Sequence, residues 1–416
     1  MCGSIYLLLM HVGVEVLALG RNIVVARLLG SEEMGFATLL AVTLRMFEMA
    51  SDWSTDRLLI QAPDGNRVGF QSTAHGIEVC RGGLISLLTV GAGAIMATLV
   101  ASSPPLSAYV WLALIPLIRG FQHLDSKRLQ RRLQFKMAAA VEFPAALVSV
   151  AVLWPLSALL DDYRLVIASS LFQSLVYVAV SHWLAKRSYR IAIRREFGIR
   201  FLRFGWPLAA NGLLMFAALQ GDRFLVAAWC TPSELARYAI ALQLSLMPFL
   251  ILSRIANSVL LPLLSRERQS PAVFRRLFIQ AALSGIAIAG VVAVGEIAFE
   301  LPTIQFAYGN EFLISSSLVL YFAVAHAIRF LRTIPTVTAL ADGDSRHPLQ
   351  VNCIRTIGLF LAVVAASKGA GLTGIALAGV FGEVVSLLAS MFLLHRRIAI
   401  FSVVADQSSA LKSCQV

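Results

Sequence analysis

The sequence predicts an all-α protein that crosses a membrane about twelve times. Its mean hydropathy is +0.77, and only 14% of its 416 residues are charged while 58% are hydrophobic. A soluble domain of this length needs a polar shell that such a composition does not supply. Backbone groups in hydrocarbon find partners only inside helices or closed barrels. Since no series of short alternating strands is visible, we expect helices.

Each long apolar stretch is expected to form one spanning helix of roughly 20 residues. No basic residue precedes the first apolar run, so we expect it to be retained as a span rather than cleaved as a signal peptide. In chain order, the predicted spans run over about 5–29, 35–51, 82–103, 106–121, 138–160, 164–184, 205–229, 237–262, 277–298, 314–340, 349–367 and 371–394.

Lys and Arg concentrate in every second gap between the predicted spans. The run Lys127–Arg132 and the stretch 186–203 hold many of the 35 cations, whereas the opposite gaps hold few. Cytoplasmic loops carry such an excess, so both termini are predicted to face the cytoplasm. Topology and attraction to anionic membrane lipids account for the net charge of +12, and no nucleic-acid partner is expected.

A weak internal repeat predicts two six-helix bundles. Sliding the chain so that Ser31 lies on Pro232 also places Val25 on Val226, which pairs the first span of each half. Six spans per half give a parallel repeat about an axis along the membrane normal. Many transporters share this plan and bind substrate between their halves.

The boundary between the bundles is expected at residues 186–203, which we predict to form an interfacial helix. Ile193, Phe197 and Phe201 recur every four residues beside several arginines. A solvated linker is the alternative interpretation. The predicted organisation is an N-terminal bundle at 1–185, a cytoplasmic linker at 186–204, a C-terminal bundle at 205–398 and a cytoplasmic tail at 399–416.

A smaller set of charges falls inside the predicted spans, where a charged side chain costs about 2.5–3.5 kcal/mol and usually faces a cavity or a partner. Most of the cations in this set are arginine, whose planar fork binds phosphate oxygens in pairs. Salt bridges that only fix helix packing are the alternative interpretation. The predicted anion-binding residues are Arg21, Arg45, Arg223, Arg254, Arg329 and Arg332, and the predicted ion-coupling acids are Glu48, Asp52 and Asp222.

No catalytic or metal-binding pattern is present in the sequence. The five Cys are scattered, and no two of the seven His have the spacing of metal ligands. Nucleophile elbows, phosphate-binding glycine loops and zinc-protease motifs are all absent. We therefore expect neither an enzyme nor a bound cofactor or metal.

Five segments carry a recognisable pattern: ARLLGSEEMG at 26–35, LQRRLQFK at 129–136, GDRFLV at 221–226, LARYA at 235–239 and LPLLSR at 261–266. In their order and spacing, from residue 20 to about 270, they resemble the polysaccharide transporter family, the Wzx-like oligosaccharide flippases of the multidrug/oligosaccharidyl-lipid/polysaccharide (MOP) flippase superfamily. Ala236 departs from the family, which often has Gly there, and the chain starts more abruptly than many relatives.

The resemblance implies a fold like that of the multidrug and toxin extrusion (MATE) transporters and a function in glycan export. The expected cargo is an oligosaccharide linked to undecaprenyl pyrophosphate, carried across the bacterial inner membrane by alternating access for O-antigen, capsule or exopolysaccharide synthesis. The family's cavity cations map onto Arg21, Arg45, Arg223 and Arg254. Expected partners are membrane lipids, a polysaccharide polymerase and a chain-length regulator.

Three alternatives remain at this point. A cation-coupled small-molecule antiporter of the MATE type should have an acid-rich cavity, whereas the spans here are rich in arginine. A membrane-bound sugar polymerase or ligase should have a long outer loop with Arg and His, and the longest predicted outer gap, 299–313, has neither. A structural membrane protein without transport does not explain the spread of buried charge.

Overall fold

The computed structural model describes residues 2–99, 103–132, 134–268, 270–344 and 346–413, and these residues form helices joined by short loops, without strands. Each predicted span overlaps a helix, while the end of the third span and of the tail lie outside the described residues. The first eight helices are α1 (Cys2–Ala50), α2 (Thr55–Gln61), α3 (Val68–Leu99), α4 (Leu106–Gly120), α5 (Asp125–Gln130), α6 (Lys136–Ala151), α7 (Leu153–Ser157) and α8 (Arg164–Trp183).

The remaining helices are longer on average. A single 3₁₀ turn, Asn310–Phe312, separates two of them. They are α9 (Arg195–Trp229), α10 (Pro232–Arg266), α11 (Pro271–Ala307), α12 (Ser316–Ala341), α13 (His347–Ser367) and α14 (Gly371–Ser413).

The first two predicted spans form one long helix, α1, with a kink at Gly30. This glycine has φ 78° and ψ 178°, a left-handed conformation that other residues rarely adopt. Five residues later, a Cβ on Gly35 would lie only 2.0 Å from the carbonyl oxygen of Pro232. Ser31 Oγ also lies 3.3 Å from Ser233 Oγ. The segments that the internal repeat equates are therefore in direct contact.

The chain divides into two compact units: Met1–Arg237 with Ala307–Phe312, and Tyr238–Phe306 with Leu313–Val416. In the first unit, Leu40 and Leu44 of α1 pack with Ile85, Tyr109 and Ile167 from α3, α4 and α8. This cluster holds the helices that carry the charged residues described below. The two packing units meet in the chain at Arg237, whereas the internal repeat predicts a boundary at residues 186–203. The assignment of six spans to each half stays a prediction.

The second unit has its own apolar core. Phe249 of α10, Ala289 of α11 and Phe330 of α12 form its centre. Small residues let helices approach closely, as at Gly358 of α13 and Gly382 of α14, where a Cβ on either would lie within 2.8 Å of the other's Cα.

The predicted interfacial helix over 186–203 is wrong in its first half. Residues 186–194 are not helical, and α9 begins at Arg195 and continues through the seventh predicted span. Tertiary contacts hold the extended segment instead: the Tyr189 ring packs against His75 at 4.5 Å, and the Arg190 carbonyl lies 3.1 Å from His75 Nδ1. These contacts outweigh the weak helical periodicity of the segment.

The longest predicted outer gap, 299–313, is mostly helical as well. Helix α11 continues to Ala307, because its buried face repeats every four residues at Glu296, Glu300 and Ile304. Glu300, which the sequence placed in a loop, is therefore a buried helical residue.

Many large apolar side chains point outward, as expected of helices surrounded by lipid. Trp154, Trp183 and Leu87 are each more than 70% exposed. Among the described residues, 9 helices are long and apolar enough to cross a membrane, and α4 is a shorter apolar helix. In order, these helices overlap the third to the twelfth predicted spans, and the chain is a multi-pass membrane protein. The first two predicted spans lie within α1.

Candidate functional site

Two neighbouring cavities in the first unit collect charged side chains from three helices. One of about 200 Å³ lies between α1, α4 and α8 and is lined by Arg45, Glu48 and Arg119 beside apolar residues. The other, of about 270 Å³, shares these three residues and adds Asp52 and Arg81. Arginines from α1, α3 and α4 are thus brought to one place.

Arg21 does not line the first cavity itself but joins α1 to residues of α8 that line it. Its guanidinium donates to Ser170 Oγ at 2.7 Å and to Gln173 Oε1 and the Val166 carbonyl at 3.3 Å. All three acceptor residues also line the cavity. Among the ion pairs of the described residues none involves Arg21, so neutral acceptors alone hold its charge.

Arg45 is the most accessible cation of the site. Its side chain is 61% exposed, and its guanidinium lies 3.3 Å from the carboxylate of Glu48, three residues further along α1. The Glu48 backbone carbonyl accepts a hydrogen bond from Arg81 at 2.9 Å. An exposed pair of this kind is weak, so an anion entering the cavity competes readily with Glu48 for Arg45.

Sequence reasoning did not select Arg81 and Arg119 as site residues. Arg81 was assigned to the loop before the third span, but α3 starts earlier, at Val68, and carries Arg81 within it. Arg81 pairs with Glu78 at 3.3 Å, and Arg119 lies over the Tyr177 ring at 5.1 Å. The position of Arg119 inside the predicted span 106–121 was a usable signal.

Three of the predicted residues make local contacts in the first unit. Asp52 Oδ1 accepts from the backbone N–H of Ser54 at 2.9 Å and so fixes the turn after α1. On α9, Asp222 Oδ1 accepts from the backbone N–H of Arg223 at 2.9 Å, and both residues are half-buried. Of the predicted residues, Arg45, Glu48 and Asp52 line the cavities, Arg21 bonds to residues that line the first one, and Asp222 and Arg223 line neither.

The predicted cations of the second unit fall into two places. Arg254 is exposed on α10. Arg329 and Arg332 of α12 converge with Arg355 of α13 on Glu383 of α14, at distances of 2.7, 3.8 and 2.7 Å. Three guanidinium groups thus face one buried carboxylate. The sequence found no acid for Arg329 and Arg332 in their own span because the partner comes from another helix.

No group of three or more His, Cys, Asp or Glu side chains is placed to hold a metal ion in the part of the chain that the structure describes. The first cavity is lined by two arginines and one acid, whereas the second is lined by three arginines and by the three acids Glu48, Asp52 and Glu78. Arginine forks in the first cavity have the chemistry to bind an anionic group.

A family model described as "Polysaccharide biosynthesis protein" matches residues 24–317, more than half of the chain. A comparison with curated proteins found no match.

Among solved structures, the lipid II flippase MurJ in an inward closed conformation is similar, with a TM-score of 0.74 and 15% identity over 96% of this chain and 91% of that one. An inward-facing multidrug resistance MATE transporter of the MOP superfamily has a TM-score of 0.67, with 15% identity over 94% of this chain and 95% of that one. A mutant of the Vibrio cholerae MATE transporter VcmN has a TM-score of 0.58, with 14% identity over 94% of each chain. These similarities confirm the predicted MOP fold.

Proposed function

This chain belongs to the polysaccharide biosynthesis protein family, and we propose that it moves lipid-linked oligosaccharides across the bacterial inner membrane. The cargo is an undecaprenyl-pyrophosphate-linked unit destined for O-antigen, capsule or exopolysaccharide. The observation that carries the proposal is the first cavity of the first unit, which is lined by the accessible Arg45 and by Arg119 and whose residue Ser170 is bonded to Arg21. The similarity of the fold to a lipid II flippase supports it.

The mechanism follows from the chemistry of the two ends of such a cargo. Arginine forks bind the pyrophosphate oxygens, while the polyprenyl tail remains in the bilayer beside the apolar outer faces of the helices. Alternating exposure of the cavity to the two sides of the membrane carries the head group from the inner to the outer leaflet. Proline within α9, α10 and α12 removes backbone hydrogen bonds and provides kinks at which these helices bend.

We propose that each of the predicted arginines, Arg21, Arg45, Arg223, Arg254, Arg329 and Arg332, contributes to binding the anionic head group at some stage of transport, and that Glu48, Asp52 and Asp222 take part in ion coupling. Both termini face the cytoplasm in this proposal, and the glycan passes to a polymerase and a chain-length regulator on the outer side.

Two measurements test the proposal. Deleting the gene should cause lipid-linked repeat units to accumulate on the inner face of the membrane. Purified protein in proteoliposomes should move a labelled polyprenyl-pyrophosphate oligosaccharide to the opposite leaflet, whereas empty liposomes should not. Normal glycan export in the deletion strain together with inactive proteoliposomes would refute the proposed cargo.

A cation-coupled small-molecule antiporter is the second candidate function. The acids Glu48, Asp52 and Glu78 among the arginines of the second cavity favour it, as does the MATE-like fold. Expression of the protein in a drug-sensitive strain distinguishes the two functions. Raised resistance to cationic drugs without glycan export would favour the antiporter.

A further inference from the structure

Two glutamates lie one turn apart on the buried face of α11 in the second unit. Glu296 is 9% exposed and Glu300 is 5% exposed. Both line a cavity of about 360 Å³, together with Ser245 and Pro248 of α10 and Phe299. Neither glutamate belongs to the cation cavities or to the arginine cluster on Glu383, so the proposed mechanism leaves them without a role.

Most of the carboxyl oxygens in this pair have no hydrogen-bond partner. Ser245 Oγ lies 2.9 Å from Glu296 Oε2. The other oxygen of Glu296 and both oxygens of Glu300 are buried without a partner among the described residues. In that part of the chain no Lys, Arg or His forms an ion pair with either glutamate. Two neighbouring carboxylates buried in this way are unfavourable unless at least one is neutralised.

We propose that Glu296 and Glu300 form a proton-binding site in the second unit. A bound proton removes one charge and turns one carboxyl oxygen into a donor, which the unpartnered oxygens lack. Calcium takes about six to eight oxygen ligands. Besides the two glutamates, the lining offers the hydroxyls of Ser245 and Thr303 among apolar side chains, and a proton needs only one carboxylate oxygen.

Ser245 connects the site to a buried histidine. Its Oγ lies 2.9 Å from Glu296 Oε2 and 3.0 Å from Nδ1 of His326 on α12. When Glu296 is ionised, Ser245 donates to the carboxylate and accepts from the Nδ1–H of His326. When Glu296 is protonated, its O–H donates to Ser245 Oγ, and the serine hydroxyl donates to Nδ1 of His326 once the single imidazole proton has moved from Nδ1 to Nε2.

The charged groups near the relay come from three helices. Arg329 on the same helix as His326 and Arg355 on α13 both pair with Glu383 of α14. These three side chains are the charged groups that act on His326. From α10, the neutral hydroxyl of Ser245 bonds to Glu296, so among the described residues no cation is paired with either glutamate.

Infrared spectroscopy of the reconstituted protein tests the site without reference to any cargo, so the outcome is separate from that of the transport assays. The wild-type protein should show a protonated-carboxyl band at neutral pH that disappears at high pH. Glu296→Gln and Glu300→Gln should each weaken the band, and the double variant should remove more of it. Glu267→Gln, which alters a half-exposed acid paired with Arg266 in the same unit, should leave it unchanged.

Ser245→Ala provides a second variant that keeps both carboxyl groups. It should shift the frequency of the band without removing it, because protonated Glu296 loses its acceptor. An unchanged band in the folded double glutamine variant would overturn the proposal. The proposal would also be overturned if sodium chloride, but not choline chloride, removed the wild-type band at constant pH. The site would then bind the sodium ion rather than a proton.

Discussion

Nε of Arg329 lies 2.7 Å from Oε1 of Glu383, and Nε of Arg355 lies at the same distance from the same oxygen. One carboxylate on α14 thus joins α12 and α13 within the second unit. Arg332, the third guanidinium, also donates to Asn352 at 3.0 Å. These contacts indicate that the cluster stabilises the packing of the three helices.

Replacing Glu383 with glutamine should destabilise the protein strongly. Three guanidinium groups would face one another without a carboxylate, and removing one partner of a buried ion pair typically costs about 3–5 kcal/mol. The melting temperature in detergent should fall well below that of wild type. Glu267→Gln, at the half-exposed pair with Arg266, serves as control and should melt near wild type. Equal melting of the two variants would show that the cluster does not stabilise the fold.

Replacing Arg45 with alanine should impair transport while leaving the fold intact. The side chain is 61% exposed and paired only weakly with Glu48, whereas a hydrogen bond to a charged group contributes about 1.5–3 kcal/mol to binding. We expect the apparent affinity for the pyrophosphate cargo to fall about tenfold or more, with the melting temperature almost unchanged. Titration of cargo in the proteoliposome assay measures the effect.

Arg45→Lys keeps the charge but loses the planar fork, so it should restore transport only in part. Full activity of Arg45→Ala at limiting cargo would remove Arg45 from the site.

Substituting alanine for Gly35 should destabilise the protein, because the new Cβ would lie 2.0 Å from the Pro232 carbonyl oxygen and α1 would have to move away from the start of α10. The same substitution at Gly83 of α3 is the matched control, since a Cβ there would meet no atom of the described residues within 4 Å. Alanine at Gly83 should stabilise the helix by up to about 1 kcal/mol. Opposite shifts of the two melting temperatures confirm the close approach, and similar shifts would contradict it.

Stability should fall in mild acid because of His123, which lies in the loop before α5. Burial lowers the pKa of this imidazole below its ordinary value of 6.5. Its Nδ1 accepts from the Asp125 N–H at 3.1 Å, and Nε2 lies 3.0 Å from the Arg187 carbonyl. The folded protein therefore holds the neutral ring, and protons bind preferentially to the unfolded chain. The stabilisation is complete above pH 6.5 and declines as the pH falls below that value.

Melting temperatures from about pH 8 to about pH 5 measure this dependence. His123→Gln should lower the melting temperature at the alkaline end and flatten its decline in acid, whereas the exposed His395→Gln should behave as wild type. A decline of unchanged steepness in His123→Gln would assign the acid sensitivity to other groups.

The sequence predicted the spanning helices well because each is long and apolar by itself. It was less successful where tertiary contacts decide the local structure. Imidazole rings distant in sequence contact the non-helical segment around Tyr189. The helical periodicity of that segment does not predict these contacts. Glu300 fell in the predicted outer gap because the ninth span was predicted to end at about residue 298, whereas α11 continues to Ala307.

The candidate site shows the same division. Sequence alone identified Arg21 and Arg45 as charges that the membrane tolerates only beside a cavity or a partner, and the structure places both at one cavity. It did not pair Arg329 with Glu383, because those residues lie on helices that only folding brings together.

The sequence by itself determined the membrane-spanning class, the order of the helices and the family, because hydropathy, charge and short motifs are local properties of the chain. Only the tertiary structure decided which charges meet: Arg81 and Arg119 beside Arg45, three arginines around Glu383, and Glu296 with Glu300 in an apolar wall. The reason is physical, since the energy of a buried charge depends on its neighbours in space, and these come from helices distant in sequence.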